Sequence, residues 1–304
     1  MNVVFLGTSE YAATVLRRLS SSELRPALVV APPDRRRGRG RRLASPPVAE
    51  AACELGLELV QVESVNDAAA AGSVQAVDPD VGMVCAFGQL IGAPLLDELE
   101  MLNIHPSLLP RWRGAAPIER AILAGDTETG VTVMRVTAGL DSGPIALQRP
   151  VSIDPGEDHG SLSARLAELG GELAVEALRR RRDGRLELDE QDDSLATYAD
   201  KIGSAERRLD PARPAAELER RVRALTPHVG AYLELDGGER LVVRAAEELA
   251  ADRRPGELGA AGGELVLGCG EGALRLLEVQ PAGGRAMAAD AYLRGHPAPS
   301  VAPG

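Results

Sequence analysis

The stretch Met101-Leu102-Asn103-Ile104-His105-Pro106-Ser107-Leu108-Leu109-Pro110 decides how this chain reads. Its apolar beginning predicts a short strand, and Pro106 predicts the exit. Period-2 alternation then puts Asn103 and His105 on one face of that strand. Both project from its carboxyl end, where open α/β sheets place their ligands. A second stretch, Gly139-Leu140-Asp141-Ser142-Gly143, follows a strand-like run at 131–136 and forms a Gly-flanked loop. A neutral donor, a titratable base and an anion can therefore converge at one sheet edge. That inventory suits acyl transfer without a covalent nucleophile.

Working outward, residues 2–6, 27–31, 81–86, 101–104, 131–136 and 145–151 are apolar or alternating runs of strand length. Helical patterns lie between several of them, at 11–19, 48–55, 93–99 and 118–123. Strands alternating with helices predict a mostly parallel α/β sheet. Leu162, Leu166, Leu169 and Leu173 recur at helical spacing, which predicts a helix over 161–178. Arg179 to Arg182 complement the negative end of that helix. From about Asp183 the texture becomes acidic and turn-rich. The expected division is a first domain at 1–183, a linker at 184–203 and a second domain at 204–304. In the last, one amphipathic helix at 215–225 precedes short strands at 231–235, 240–243, 264–267 and 273–279. Gly-rich turns separate them, a pattern that suggests a small β-barrel. No internal repeat is evident.

The bulk numbers constrain function classes. The 304 residues are 44% hydrophobic and 26% charged, as in ordinary globular proteins. Aromatics make up 2%, so Ala, Leu and Val must build the cores. No apolar run reaches the length of a membrane span, and with the first strand at 2–6 no secretory leader is expected. Cys53, Cys85 and Cys269 are odd in number and widely spaced. That fits a reducing compartment without a metal centre, and a cytoplasmic location is expected. Net charge is -11, which argues against a general nucleic-acid binder. Locally, however, Arg35, Arg36, Arg37, Arg39, Arg41 and Arg42 crowd into one loop, where Gly38 and Gly40 imply mobility. Such a loop can order on phosphate.

Further landmarks run in order along nearly the whole chain. They are Gly7-Thr8, the 33–42 loop, Ala86-Phe87-Gly88, Ser107 through Pro117 and Thr129-Gly130-Val131-Thr132-Val133-Met134. Later come Gly139 through Gly143, Thr197-Tyr198-Ala199 with Lys201, Gln280-Pro281-Ala282-Gly283 and Leu293-Arg294-Gly295. With these landmarks the chain resembles the folate-dependent formyltransferases. The resemblance implies a Rossmann-like, mostly parallel formyltransferase domain followed by a small OB-like β-barrel domain. It implies an enzyme that moves the formyl group of 10-formyltetrahydrofolate to the α-amine of methionyl-initiator tRNA, in support of translation initiation; a monomer is expected. Asn103, His105 and Asp141 match the family's catalytic set: oxyanion donor, proton carrier, and support for His105 and the water network. Ser107, Leu108, Leu109, Pro110, Phe87 and Gly88 match the folate pocket. The Arg loop and Lys201, the chain's sole lysine, match tRNA contacts. No metal is implied.

Some residues depart from the family pattern. Thr226-Pro227-His228-Val229 stands where many relatives carry Trp, Phe87 replaces Tyr, and Ser9-Glu10 replaces Pro with an acid. Arg111, Trp112 and Arg113 carry a basic-aromatic signature suited to anion contact or stacking. The Gln280-Pro281-Ala282-Gly283 landmark favours the tRNA branch over relatives acting on glycinamide ribonucleotide or amino sugars. A formyl-folate hydrolase and a non-catalytic RNA-binding module are the competing readings.

Overall fold

The computed structural model describes residues 1–37, 42–261, 263–296 and 301. It divides into two compact units. The first comprises Met1–Pro117, Glu128–Ser152 and Ser163–Ala199; the second comprises Ile118–Thr127, Ile153–Leu162 and Asp200–Gly304.

The first unit is built on seven strands: β1 (Val3–Gly7), β2 (Leu28–Ala31), β5 (Leu59–Gln61), β6 (Val81–Cys85), β7 (Met101–His105), β9 (Glu128–Arg135) and β10 (Ile145–Ser152). Their order is β10-β9-β7-β6-β1-β2-β5. Pairing is parallel from β5 through β7 and antiparallel at β7–β9 and β9–β10. The mostly parallel reading therefore holds, with an antiparallel edge. β1 and β6 are buried along their whole length, as expected of central strands covered on both faces. Helices α1 (Glu10–Ser20), α2 (Pro47–Glu54), α3 (Ala68–Gln75) and α4 (Ala93–Glu98) connect the strands. Ser9 caps α1 by accepting from the Ala12 amide, with Glu10 in the first turn and Arg17 and Arg18 in the last. α5 (Pro117–Ala124) and α6 (His159–Arg182) each contain residues of both units.

Two small pairings complete this unit. Arg35–Arg37 (β3) and Arg42–Ala44 (β4) form an antiparallel hairpin where the sequence predicts only a loop. Alternation within so short an arginine run carries no hydrophobic period, so its pairing is invisible from composition. Residues 38–41, including Arg39 and Arg41, lie outside the described residues, and so does the expectation of mobility there. Arg113–Gly114 (β8) pairs in parallel with Tyr198–Ala199 (β11), bringing Thr197-Tyr198-Ala199 beside the chain that leaves β7.

The second unit carries the antiparallel sheet. Its strands are β12 (Ala231–Glu234), β13 (Arg240–Leu249), β14 (Leu258–Ala261), β15 (Glu264–Gly268), β16 (Ala273–Gln280) and β17 (Met287–Ala288). The path β12-β13-β16-β15-β14, with β17 on β16, is a curled sheet rather than a flat one. Register shifts in β13 at Ala245 and Ala246 supply the bend. Helix α7 (Ala215–Leu225) lies over it, burying Leu218, Val222 and Leu225 with Leu233, Leu241, Val243, Leu265 and Leu274. Each fully buried Leu contributes about 1.5–3 kcal/mol, so a core poor in aromatics suffices. Helix α8 (Ala289–Gly295) adds Tyr292 to that core.

Candidate active site

Strand β7 sits between β6 and β9, with Asn103 opposite Val84 and Met134, and His105 opposite Thr132. Strand β9 then runs into the Gly139–Gly143 turn, where Asp141 adopts a left-handed φ of 45°. The antiparallel register leaves Arg135, the end of β9, opposite Leu102 near the start of β7, and the loop that follows folds back so that Asp141 reaches Asn103 and His105. The His105 Nδ1 atom lies 3.6 Å from Asp141 Oδ2, and Asn103 Nδ2 donates to Asp141 Oδ1 at 3.4 Å. The structure thus brings the three expected side chains together. Asp141 also accepts from the Gly114 amide at 2.9 Å.

His105 is held by its other nitrogen. Nε2 is 2.8 Å from the Trp112 carbonyl oxygen, which can only accept, so Nε2 carries the hydrogen. Nδ1 is then the nitrogen available to exchange a proton, and it faces Asp141. His105 is only 4% exposed. Trp112 itself has φ 64° and donates its amide to Thr197 Oγ1, which fixes the carbonyl that orients His105. The Arg111 guanidinium lies over the Trp112 ring at 4.4 Å. Gly114, at φ 124°, lets this segment pass the Ala199 carbonyl, which an added Cβ would meet at 2.9 Å.

Arg113 corrects the expectation of anion contact. Its side chain is buried and committed to Gln191 Oε1, at 3.0 and 2.8 Å, and to Asp193 at 2.7 Å. Burial without such partners would cost several kcal/mol, so this guanidinium is structural. Gln191 is a residue that sequence reasoning missed. Its Nε2 donates to the Asp141 and Gly143 carbonyls at 2.9 and 2.7 Å, tying the turn that carries Asp141 to Arg113. Only its place in a polar, turn-rich stretch could have hinted at this. Thr132 was also missed. It is fully buried, donates to Ser107 O, and accepts from the Leu109 amide and Gln148.

The residues matched to folate contact divide in two. Ser107, Leu109 and Phe87 are buried; the Ser107 hydroxyl donates to Arg111 O, and Phe87 packs into the core against Val4 and Leu6. Gly88 is exposed with φ 77°, beside exposed Ala86 at φ 42°, and Leu108 and Pro110 are half-buried. Leu90, 85% exposed, extends the open side. Cys85 at the end of β6 is buried, and burial pushes its thiol well up, so it is no nucleophile.

Of the basic residues, Arg35, Arg36 and Arg42 are exposed, and Arg35 pairs with Glu63 at 2.7 Å. Arg37 is on β3, and exposed Lys201 belongs to the second unit. The run Arg179 to Arg182 is neutralised by Glu23, Glu176, Glu100 and Asp183.

Two family models match the chain: "Formyl transferase" over residues 1–178 and "Formyl transferase, C-terminal domain" over 201–297. The chain is 45% identical over 300 residues to a methionyl-tRNA formyltransferase of Methylococcus capsulatus, covering 97% of each chain. It is 44% identical over 290 residues to one of Pseudomonas fluorescens, covering 94% of this chain and 91% of that one. Among solved structures, HypX from Aquifex aeolicus in complex with tetrahydrofolic acid superposes with TM-score 0.67 at 18% identity. That match covers 96% of this chain and 47% of HypX, and shows the shared fold. An Asn-His-Asp cluster at a sheet edge, both family models and full-length identity above 40% agree: the chain belongs to the formyl transferase family, in its methionyl-tRNA formyltransferase branch.

Proposed function

We propose that this protein transfers the formyl group of 10-formyltetrahydrofolate to the α-amine of methionyl-initiator tRNA, using Asn103, His105 and Asp141. The observation that carries the reading is their convergence: Asp141 within 3.6 Å of His105 and 3.4 Å of Asn103, inside a chain of this family. The amine forms a bond to the formyl carbon as the bond to the folate nitrogen breaks. One proton must leave the amine and reach that nitrogen. His105 Nδ1 suits the transfer because its Nε2 is already occupied by Trp112. Asn103 has a second amide hydrogen free of Asp141 for the carbonyl oxygen, where negative charge develops. Asp141 orients both groups.

The donor fits the open side of this edge. Exposed Ala86 and Gly88 present backbone, and Leu108 and Leu90 present apolar surface, to a flat heteroaromatic ring. Ser107, Leu109 and Phe87 support that surface from behind, and Pro110 ends it. The Arg35, Arg36, Arg37, Arg39, Arg41 and Arg42 segment, with Lys201, engages phosphates of the tRNA. The supporting feature is a cluster of arginines on a short hairpin in an otherwise acidic chain.

The deciding experiment measures formyl transfer from 10-formyltetrahydrofolate to methionyl-initiator tRNA, to free methionine and with no acceptor. Transfer to the charged tRNA alone is expected. Release of formate at the same rate without any acceptor would replace the transferase by a hydrolase.

A further inference from the structure

In the second unit, three side chains from distant parts of the sequence meet with no role in formyl transfer. Glu119 lies on α5, His159 opens α6, and His228 lies in the turn after α7. One ligand atom from each falls within 4.8 Å of the others. Glu119 Oε1 is 2.9 Å from His228 Nε2 and 3.7 Å from His159 Nε2. The imidazoles stack with centroids 3.8 Å apart, and the same Glu119 oxygen lies closest to both Nε2 atoms.

We propose that Glu119, His159 and His228 form a binding site for a divalent transition-metal ion, with Zn2+ as the fitting probe. Zinc takes His nitrogen and carboxylate oxygen at about 2.0–2.2 Å in tetrahedral geometry, which sets ligand atoms roughly 3.3 Å apart. The separations of 2.9 and 3.7 Å bracket that value. Two imidazoles with one carboxylate select against Mg2+ and Ca2+, which take oxygen ligands. His159 Nε2, the ligand atom, stands beyond hydrogen-bond distance from Glu119, and its buried Nδ1 has no hydrogen-bond partner among the described residues. The neighbouring Asp158 accepts from the Ser161 amide and hydroxyl through Oδ1 and is not among the three residues whose ligand atoms converge. The His228 side chain is 34% exposed against 14% for Glu119, which opens the site to solvent on the His228 side. Solvent would supply the fourth ligand. Bound metal would tie α5, the start of α6 and the turn after α7 together.

The test uses the full chain, stripped with chelator and titrated with Co2+ and then Zn2+. Visible absorption from tetrahedral Co2+ should saturate at one equivalent and be displaced by Zn2+. His159→Gln and His228→Gln should each weaken binding at least tenfold, and the double variant should abolish it, with circular dichroism melts establishing that each folds. No saturable band in the unmodified chain overturns the proposal. So does undiminished binding in the double variant, which would move the ion elsewhere, for instance to exposed Cys53. If a variant fails to fold, imidazole NMR of the unmodified chain decides. Zn2+ must shift the ring signals of His159 and His228 and leave those of His105 and His296 in place; any other pattern refutes the site.

Discussion

His105 has one nitrogen bound to a backbone carbonyl and the other aimed at a carboxylate. A histidine placed in this way carries protons through a single, defined atom. His105→Ala should lower kcat by about 10²–10⁴ while folate binding is retained, measured by turnover and by ligand titration. Undiminished turnover would remove His105 from the mechanism. Asn103→Ala should lower kcat by roughly 10²–10³ through loss of the oxyanion donor, with KM for folate little changed. At this scale the sequence was legible. The two-residue spacing of Asn103 and His105 dictates a shared face wherever the backbone is extended. Arg113 was not legible, since nothing local tells a buried arginine from a solvated one.

At the scale of elements, the turn carrying Asp141 depends on groups outside it. Gly143 packs so closely on the Arg135 carbonyl that an added Cβ would overlap it, and Gln191 binds two carbonyls of the turn. Gln191→Ala should cost about 1–3 kcal/mol, because Arg113 loses a buried partner. It should also lower kcat more than affinity for folate, as the carboxylate of Asp141 drifts. A melt together with steady-state kinetics checks both, and unchanged kcat would show that the turn holds itself. In the second unit, Arg120 donates to both Glu206 oxygens, at 2.6 and 3.1 Å. That bond holds the Glu206 carboxyl below its ordinary value of 4.5. A depressed carboxylate binds fewer protons folded than unfolded. Its stabilisation is therefore complete above pH 4.5 and is lost as pH falls through the lower folded value. Glu206→Gln should destabilise the protein at neutral pH by no more than about 1 kcal/mol, given its part exposure, and by nothing in strong acid. Denaturant melts at the two pH values distinguish this from a pH-independent packing loss.

For the whole molecule, a net charge of -11 must be reconciled with a polyanionic acceptor. If three of the exposed arginines each displace one counterion, tRNA affinity should fall roughly 20- to 40-fold between 50 and 200 mM salt, with folate affinity nearly constant. Equal salt sensitivity for both ligands would place the Arg hairpin outside acceptor recognition. The sequence by itself determined most of the alternating strands and helices of the first unit, though not β5 or α3, and the 215–225 helix. It also marked the Asn103-His105 pair and the Gly-flanked turn at Asp141. These follow from periodicity and turn chemistry, which are written in consecutive residues. Only the tertiary structure decided that the loop after the antiparallel β9 folds back so that Asp141 reaches Asn103 and His105. The same holds for Gln191 reaching back to that turn, for Phe87 and Leu109 facing the core, and for Glu119, His159 and His228 meeting. Those relations join residues tens of positions apart. Their partners are selected by how surfaces bury together and how buried polar groups are satisfied, and no local pattern encodes that choice.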